Sequence, residues 1–351
     1  MATLTLARPD APPRARPVWI AGRLPDLIFV IGSSLAGYLY ILLFVVFQVP
    51  ASYLWWFWSV GFDGTHIFGM ASRTYFDKEV RRRDRRLLFG SAIFFFSLGP
   101  VMVLAGWKGW LALLVGVWAY HHVVRQHYGF LMLYKVKNRD LAPRDNRIDQ
   151  LLLYLMLAAP PFYRFFVHHP EELGLPRRAA LTTAAPWVEP AMWIAVGLTA
   201  LFFLRRQFER ARSGAGWNVP KLLLLAGIVP LHWLTFHFLS WKAAVPTVTI
   251  VHNLQYHALI WFHNRNKYGG GGETAHRHGL IPKIVSTGIV PYAAVALLFS
   301  LAYRLPGFHL GAVSDLAFGL FCGFGLTHYY LDARIWRIRH DASLRETLRL
   351  G

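Results

Sequence analysis

The sequence predicts an all-α, polytopic transmembrane helix bundle with about ten spans. Of its 351 residues, 55% are hydrophobic and only 16% are charged. The apolar residues occur in runs close to the roughly 20 residues with which an α-helix crosses a bilayer. Most arginine and lysine residues lie in alternate short loops between these runs, the pattern that orients a membrane protein. We therefore expect both termini to lie in the cytoplasm.

The ten predicted spans follow one another along the chain with short connections. They are residues 27–48, 52–72, 87–105, 109–134, 148–168, 190–204, 219–240, 243–264, 284–303 and 311–332. We expect them to form a single bundle over 27–332, with cytoplasmic tails at 1–26 and 333–351. The first tail lacks the short apolar core of a signal peptide, so the first run should remain as a helix.

The net charge and the cysteine content exclude some classes of function. A formal net charge of +19 would suggest nucleic acid as the partner of a soluble protein. Here the positive residues lie in the loops between spans, so we expect membrane lipids as partners and no nucleic acid. The chain has one cysteine, Cys322, inside an apolar run, which excludes a disulfide framework and a thiolate cluster. We expect a multi-pass protein of a bacterial inner membrane.

Histidine and aspartate residues occur inside four of the predicted spans. Such side chains are costly in hydrocarbon and usually mark functional sites. The second, fourth, eighth and tenth spans run in the same direction, and their polar residues fall in the inner halves. We therefore expect one shared polar layer near the cytoplasmic face. Its members are Asp63, His66, His121, His122, His127, His252, His257, His263, His328 and Asp332.

The spacing of these residues indicates which of them share a helix face. Asp63 and His66 are three apart, and His328 and Asp332 are four apart. Each pair therefore lies on one face of its helix, as carboxylate–histidine units do in metal-binding bundles. Both aspartates could be ligands or could orient the imidazoles.

The two His-x-x-x-x-His motifs have a different geometry. His122 and His127, like His252 and His257, are five residues apart, which turns the second about 140° from the first on an ideal helix. One ion could bind both histidines of a motif only if the helix turn between them were widened or broken. In a regular helix, the two histidines could bind only different ions. His252 and His263 are about 16 Å apart along the helix axis and cannot share an ion without a break.

Neutral imidazoles with carboxylates and no thiolate suit iron, zinc or manganese. The candidates exceed what one tetrahedral site needs, so we expect two iron ions, with zinc or haem as less favoured cofactors. Iron with open coordination positions activates oxygen. Arg125 within the fourth span could pair with Asp63 or Asp332, or position an anionic substrate group. The predicted metal ligands are His66, His121, His122, His127, His252, His257, His263 and His328.

The spaced histidines at His122/His127 and His252/His257, with their inner-face location, resemble the membrane histidine-box diiron enzymes: fatty-acid desaturases, alkane hydroxylases and sterol-type hydroxylases. The resemblance covers only these stretches, and the family's His-x-x-His-His boxes are absent. It implies an oxidoreductase of lipid metabolism that acts on a lipid-like or other apolar small molecule and receives electrons from a cytoplasmic donor. A second, partial likeness is to the membrane carotenoid-cleaving oxygenases, in which single histidines on several helices surround one iron.

Three other interpretations of the histidines remain open at this point. Axial histidines on facing helices could bind a haem. Histidines and aspartates could relay protons in a proton-coupled transporter. Polar side chains also hold membrane helices together without further function, and the chain could be a non-catalytic assembly subunit. For His232 and His237 of the seventh span, packing is the favoured interpretation.

Overall fold

The computed structural model describes residues 16–176, 179–269 and 277–350. All regular secondary structure within these ranges is helical, in agreement with the predicted class. Each of the ten apolar runs falls mainly on helical residues. Most boundaries agree to within a few residues, but the helix at the sixth run begins at Ala179 and not at 190, and the helix at the ninth run extends to Val313 and not 303. Residues 1–15 of the predicted N-terminal tail lie outside the described ranges.

The α-helices follow the chain in this order: α1 Ser34–Val45, α2 Ala51–Trp58, α3 Gly64–Arg73, α4 Lys78–Arg83, α5 Arg85–Leu104, α6 Lys108–Lys137, α7 Pro143–Phe162, α8 Ala179–Arg210, α9 Val219–Phe238, α10 Trp241–Tyr268, α11 Leu280–Ser286, α12 Ile289–Val313, α13 Asp315–Ile335 and α14 Ala342–Thr347. Segments of π-helix are Asp26–Ile31, Ser59–Asp63, Tyr163–His168 and Ala211–Ala215. Short helical turns are Arg23–Pro25, Pro170–Leu173 and Ile338–His340.

Six helical segments of the described chain are long and apolar enough to cross a membrane: Arg23–Val45, Arg85–Leu104, Pro143–His168, Thr183–Ala215, Val219–Phe238 and Ile289–Leu310. Only 17% to 50% of the residues in their most apolar windows are buried. Large apolar side chains such as Leu104, Ile93 and Leu298 are instead exposed. Exposed apolar surface of this extent is unfavourable in water and fits contact with lipid. Length, composition and exposure are therefore those of a multi-pass membrane protein.

The predicted spans outside this set of six are the helical stretches that carry the histidine and aspartate candidates. They are the continuous helix formed by α2, the π-helix Ser59–Asp63 and α3, together with α6, α10 and α13. Their polar residues lower the mean hydropathy that identifies a span. These helices exist as predicted, while their membrane crossing, the total of ten spans and the orientation stay predictions.

The described chain divides into two compact units. The first unit draws its described residues from Met1–Ala51 and Val123–His252, and the second from Ser52–His122 and Asn253–Arg349. The chain therefore passes from one unit to the other at the start of α2, within α6 and within α10.

A buried network of charged side chains organises the first unit. This ion network consists of Lys135, Asp140, Asp149, Arg210 and Lys221. The ammonium of Lys221 lies 2.9 Å from Asp140 Oδ2 and 3.1 Å from Asp149 Oδ2. Lys135 pairs with Asp149, and Arg210 Nη1 donates to Asp140 Oδ1 at 2.6 Å. Buried charges are tolerated only when they are paired. The network therefore ties α6, α7, α8 and α9 together.

Close glycine contacts between α5 and α13 organise the second unit. A Cβ placed on Gly99 would collide with the carbonyl oxygen of Gly319, and one on Gly323 would lie 2.8 Å from the Phe96 ring. Gly319 and Gly323 are four residues apart, the spacing with which membrane helices approach one another closely. This contact fixes α13, the helix that also carries His328.

Replacement of Gly99 by alanine is expected to destabilise the protein by about 1–3 kcal/mol, because the added methyl group meets backbone that cannot yield cheaply. The measurement is the midpoint of thermal unfolding in detergent. Gly90 on the same helix provides the control, since a Cβ there meets nothing within 4 Å. The close approach is refuted if Gly99→Ala and Gly90→Ala unfold at the same temperature.

Candidate metal centre

Four helices each contribute one histidine to a buried group, here called the histidine cluster: His66 on α3, His122 on α6, His252 on α10 and His328 on α13. Each offers one ring nitrogen, and these nitrogens all lie within 4.8 Å of one another. Their exposed fractions run from 1% for His328 to 8% for His122.

The distances within the cluster suit a metal ion. The Nε2 atoms of His66 and His328 are 2.7 Å apart, and the ring centroids of His122 and His328 are 4.9 Å apart. A tetrahedral ion with nitrogen ligands at 2.0–2.1 Å separates those ligands by about 3.3 Å. The observed separations, from 2.7 Å to at most 4.8 Å, bracket this value. A set of neutral imidazoles is a donor set for iron, zinc or copper.

The π-helix Ser59–Asp63 precedes His66 by two residues. Such wide turns often accompany functional sites. Hydroxyl groups satisfy its carbonyls: Ser300 Oγ donates to Val60 O at 2.6 Å, and Thr65 Oγ1 lies 2.9 Å from two further carbonyl oxygens of the turn. The irregular backbone is therefore held by specific bonds, and it sets the rotation of α3 at His66.

Asp332 lies at the margin of the histidine cluster. Its Oδ2 is 3.6 Å from Nε2 of His122 and 3.6 Å from Nε2 of His328. Its Oδ1 accepts a hydrogen bond of 2.8 Å from the hydroxyl of Tyr256, whose ring centroid is 4.3 Å from that of His66. Carboxylates near metal-binding imidazoles orient the rings and raise their basicity. Tyr256 was missed by sequence reasoning, although it lies inside the second His-x-x-x-x-His motif.

His257, predicted as a ligand, uses both ring nitrogens in other bonds. Its Nδ1 is 2.7 Å from the hydroxyl of Tyr292, and its Nε2 is 3.0 Å from Thr65 Oγ1. Because the Thr65 hydroxyl donates to helix carbonyls, Nε2–H of His257 donates to Thr65 and Nδ1 accepts from Tyr292. His257 therefore links α3 and α12 beside the histidine cluster. In this arrangement neither of its ring nitrogens is available to bind a metal.

Three other predicted ligands also lie outside the histidine cluster. His127 is buried in the first unit with its ring centroid 5.6 Å from that of His232. His121 is exposed. His263 is buried in the second unit, with Nδ1 2.9 Å from Thr347 Oγ1. Each His-x-x-x-x-His motif thus contributes its first histidine, because its helix continues without a break and turns the second away.

The contacts of Asp63 and Arg125 differ from those expected. Asp63 pairs with Arg304, which directly follows the ninth predicted span. Asp63 is the last residue of the π-helix, and its carboxylate is engaged by Arg304, so it is not among the groups that meet in the histidine cluster. Arg125 is exposed, donates to the Tyr154 hydroxyl at 3.0 Å and lies 5.4 Å from the Tyr128 ring. These contacts give no support to a role for Arg125 in substrate positioning.

A second group with ligand-type atoms, Asp77, Glu79 and His278, lies elsewhere in the second unit. Asp77 Oδ2 already binds the ammonium of Lys267 at 2.7 Å and the hydroxyl of Tyr268 at 2.9 Å. Its Oδ1 accepts from the backbone of α4 at 2.8 Å, which makes Asp77 the N-cap of that helix. The ammonium of Lys267 already pairs with the Asp77 carboxylate, as a metal ion would. We therefore interpret these three residues as stabilising the fold and not as a metal site.

Asp77 is expected to make stability depend on acidic pH. Burial alone would raise the pKa of Asp77, but the ion pair with Lys267 and bonds from His278 and Tyr268 hold that pKa below its usual value. A lowered pKa contributes stability at neutral pH, and this is lost as pH falls below the ordinary aspartate pKa of about 3.9. The thermal midpoint of the wild type should therefore fall more steeply between roughly pH 5 and pH 3 than that of Asp77→Asn.

The control for this measurement is Asp315→Asn, which removes an exposed partner of Lys108. Its midpoint should follow the same pH dependence as that of the wild type. Parallel curves for the wild type and Asp77→Asn would contradict the lowered pKa.

Comparison of the chain with protein-family models, with curated proteins and with solved structures gave no match.

Proposed function

We propose that this chain is an integral membrane oxidoreductase that holds one non-haem iron by His66, His122, His252 and His328 and acts on a lipid-like or other apolar substrate. The observation that carries this proposal is the convergence of four buried ring nitrogens, from four helices, within 4.8 Å. The surrounding chain has the exposed apolar faces of a membrane protein. A lipid-like substrate would therefore approach the protein from the bilayer.

A single ion fits the histidine cluster better than the two that the number of candidates predicted. Four imidazoles are a sufficient ligand set for one ion, with positions left open on a six-coordinate iron, and leave too few ligands for a second ion. This arrangement corresponds to the likeness to membrane carotenoid-cleaving oxygenases, in which single histidines on several helices surround one iron. The likeness to the diiron enzymes is weaker, since the second histidine of each motif points elsewhere.

The donor set and its surroundings favour iron chemistry. Non-haem iron bound by histidines, with an open coordination position, supplies oxygen activation. The chain's own groups prepare the site: Tyr256 holds Asp332, and Asp332 lies beside two of the imidazoles. Burial of the four rings excludes water, which would otherwise compete for the open position. We further propose that the protein lies in a bacterial inner membrane with its metal site at the cytoplasmic face. A cytoplasmic donor would supply electrons to this site.

The convergence of the rings distinguishes this proposal from its alternatives. A haem needs axial histidines on opposite sides of a wide slot, and a proton path needs groups arranged in a file across the protein. In the histidine cluster the nitrogens instead meet around one point.

The test is metal analysis by plasma mass spectrometry on detergent-purified protein, with a visible spectrum of the same sample. About one iron per chain without haem bands supports the proposal. Sharp haem bands, or no stoichiometric metal after growth with added iron, overturn it. Oxygen uptake with fatty acids, alkanes and carotenoids then identifies the substrate class, with a histidine variant that lacks metal as the blank.

A further inference from the structure

The second unit contains a cavity of about 320 Å³ beside the C-terminal ends of α3 and α13. Cationic side chains dominate its wall, and this set is called the basic cavity: Arg73, Arg83, Lys267, Arg334 and Arg337. His263 and His340 also line it. A concave site with this many cations has the electrostatic character of an anion site.

Two carboxylates in the wall are already engaged in bonds of their own. Asp84 Oδ2 accepts a hydrogen bond of 2.8 Å from Arg83, and Asp341 caps α14 by accepting from the backbone nitrogen of Leu344 at 3.0 Å. Lys267 is paired with Asp77. The N-cap bond leaves Asp341 charged, and this carboxylate acts electrostatically on Arg73. The five cations of the wall still outnumber its two carboxylates, so the cavity keeps a positive potential. Arg73, Arg334 and Arg337 are the three arginines of the wall that no direct carboxylate contact engages in the described part of the chain.

The contacts of these three arginines are with backbone carbonyls and aromatic rings. Arg73 donates through Nη2 to Ile335 O at 3.2 Å, and Arg337 donates to Ala333 O at 3.1 Å. The guanidinium of Arg334 lies 5.1 Å from the Tyr330 ring. None of these contacts neutralises a full positive charge, so the three guanidinium groups remain available to an anion.

Arg73 is the most informative member of the basic cavity. It is 7% exposed, it stacks 4.0 Å over the ring of Trp336, and its Nη1 is buried without a hydrogen-bond partner in the described part of the chain. A buried donor without an acceptor is costly, and it is most costly for a charged group.

We propose that the basic cavity binds the phosphate group of a ligand. Several guanidinium groups converging from different segments match a tetrahedral oxyanion that carries more than one negative charge and several acceptor oxygens. This site is separate from the histidine cluster, because Arg73 follows His66 by seven residues, about 10 Å along α3. The inference does not depend on a metal. A phospholipid head group and a soluble phosphate compound share the required chemistry.

The experiment titrates inorganic phosphate into the full chain in phosphatidylcholine nanodiscs at constant ionic strength, with calorimetric detection. In parallel, native mass spectrometry measures retention of phosphatidic acid. The variants are Arg73→Gln and Arg337→Gln. The matched control is Arg339→Gln, an exposed arginine outside the cavity wall. We expect the affinity to fall about tenfold or more in the two cavity variants and to be unchanged in the control.

The outcomes separate the two sources of the phosphate group. Saturable binding of inorganic phosphate that is lost in the variants supports a soluble phosphate compound. Retention of phosphatidic acid by the wild type but not by the variants, without phosphate binding, supports a lipid head group. If neither ligand binds, or if Arg337→Gln and Arg339→Gln bind equally well, the proposal is overturned. Arg337 is exposed, so this comparison holds even if Arg73→Gln does not fold.

Discussion

Replacement of His328 by alanine is expected to reduce bound metal from about one ion per chain to a residual level. His328 is the least exposed member of the histidine cluster, and its Nε2 lies 2.7 Å from that of His66. Loss of a group that merely orients a ligand weakens metal binding by about 10–100-fold, so loss of a ligand should exceed this. Plasma mass spectrometry of the purified variant, with its thermal unfolding midpoint, measures the effect.

Two further histidines provide matched controls for this result. His257→Ala should retain the ion, because both ring nitrogens of His257 are bonded to hydroxyl groups. His237→Ala removes an exposed histidine of α9 and should change nothing. Full metal content in a folded His328→Ala protein would contradict the ligand assignment. Equal loss in His257→Ala and His328→Ala would show that the two histidines have the same role, as the motifs alone suggested.

Replacement of Asp140 by asparagine is expected to destabilise the protein by about 3–5 kcal/mol. The substitution preserves shape but leaves Lys135, Lys221 and Arg210 with Asp149 as the remaining carboxylate of the ion network. The two lysine side chains are fully buried, so water cannot replace the lost partner. Equilibrium unfolding in mixed detergent micelles measures the change in free energy.

A double-mutant cycle tests whether charge pairing is the cause. Lys221→Met removes one of the cations that Asp140→Asn leaves unpaired, so the double variant should recover much of the lost stability. Glu209→Gln is the surface control: Glu209 binds Arg205 and Arg206 at an exposed position, and its loss should have no measurable effect. Additive losses in the double variant would contradict the pairing.

The helical class and the membrane character could be read from the sequence because both follow from composition along the chain. Apolar runs of sufficient length must form helices that satisfy their own backbone hydrogen bonds in lipid. The same property allowed Asp332 to be associated with His328, since four residues on an uninterrupted helix share a face. Spacing along one helix gave no indication that Asp63 pairs with Arg304, because that partner lies on α12 and the pairing depends on how the helices pack.

Residue type and periodicity alone established that this chain is helical, apolar and rich in histidine on a few helices. The tertiary structure decided which histidines meet. The two rings of a His-x-x-x-x-His motif have different surroundings, which the local sequence does not determine. His122 and His252 lie in the histidine cluster, while hydroxyl groups from other helices bind His257. The ion network and the basic cavity join residues 60 or more positions apart, for example Asp140 with Arg210 and Arg73 with Ile335. Such contacts depend on how helices pack, and packing is a property of the whole chain.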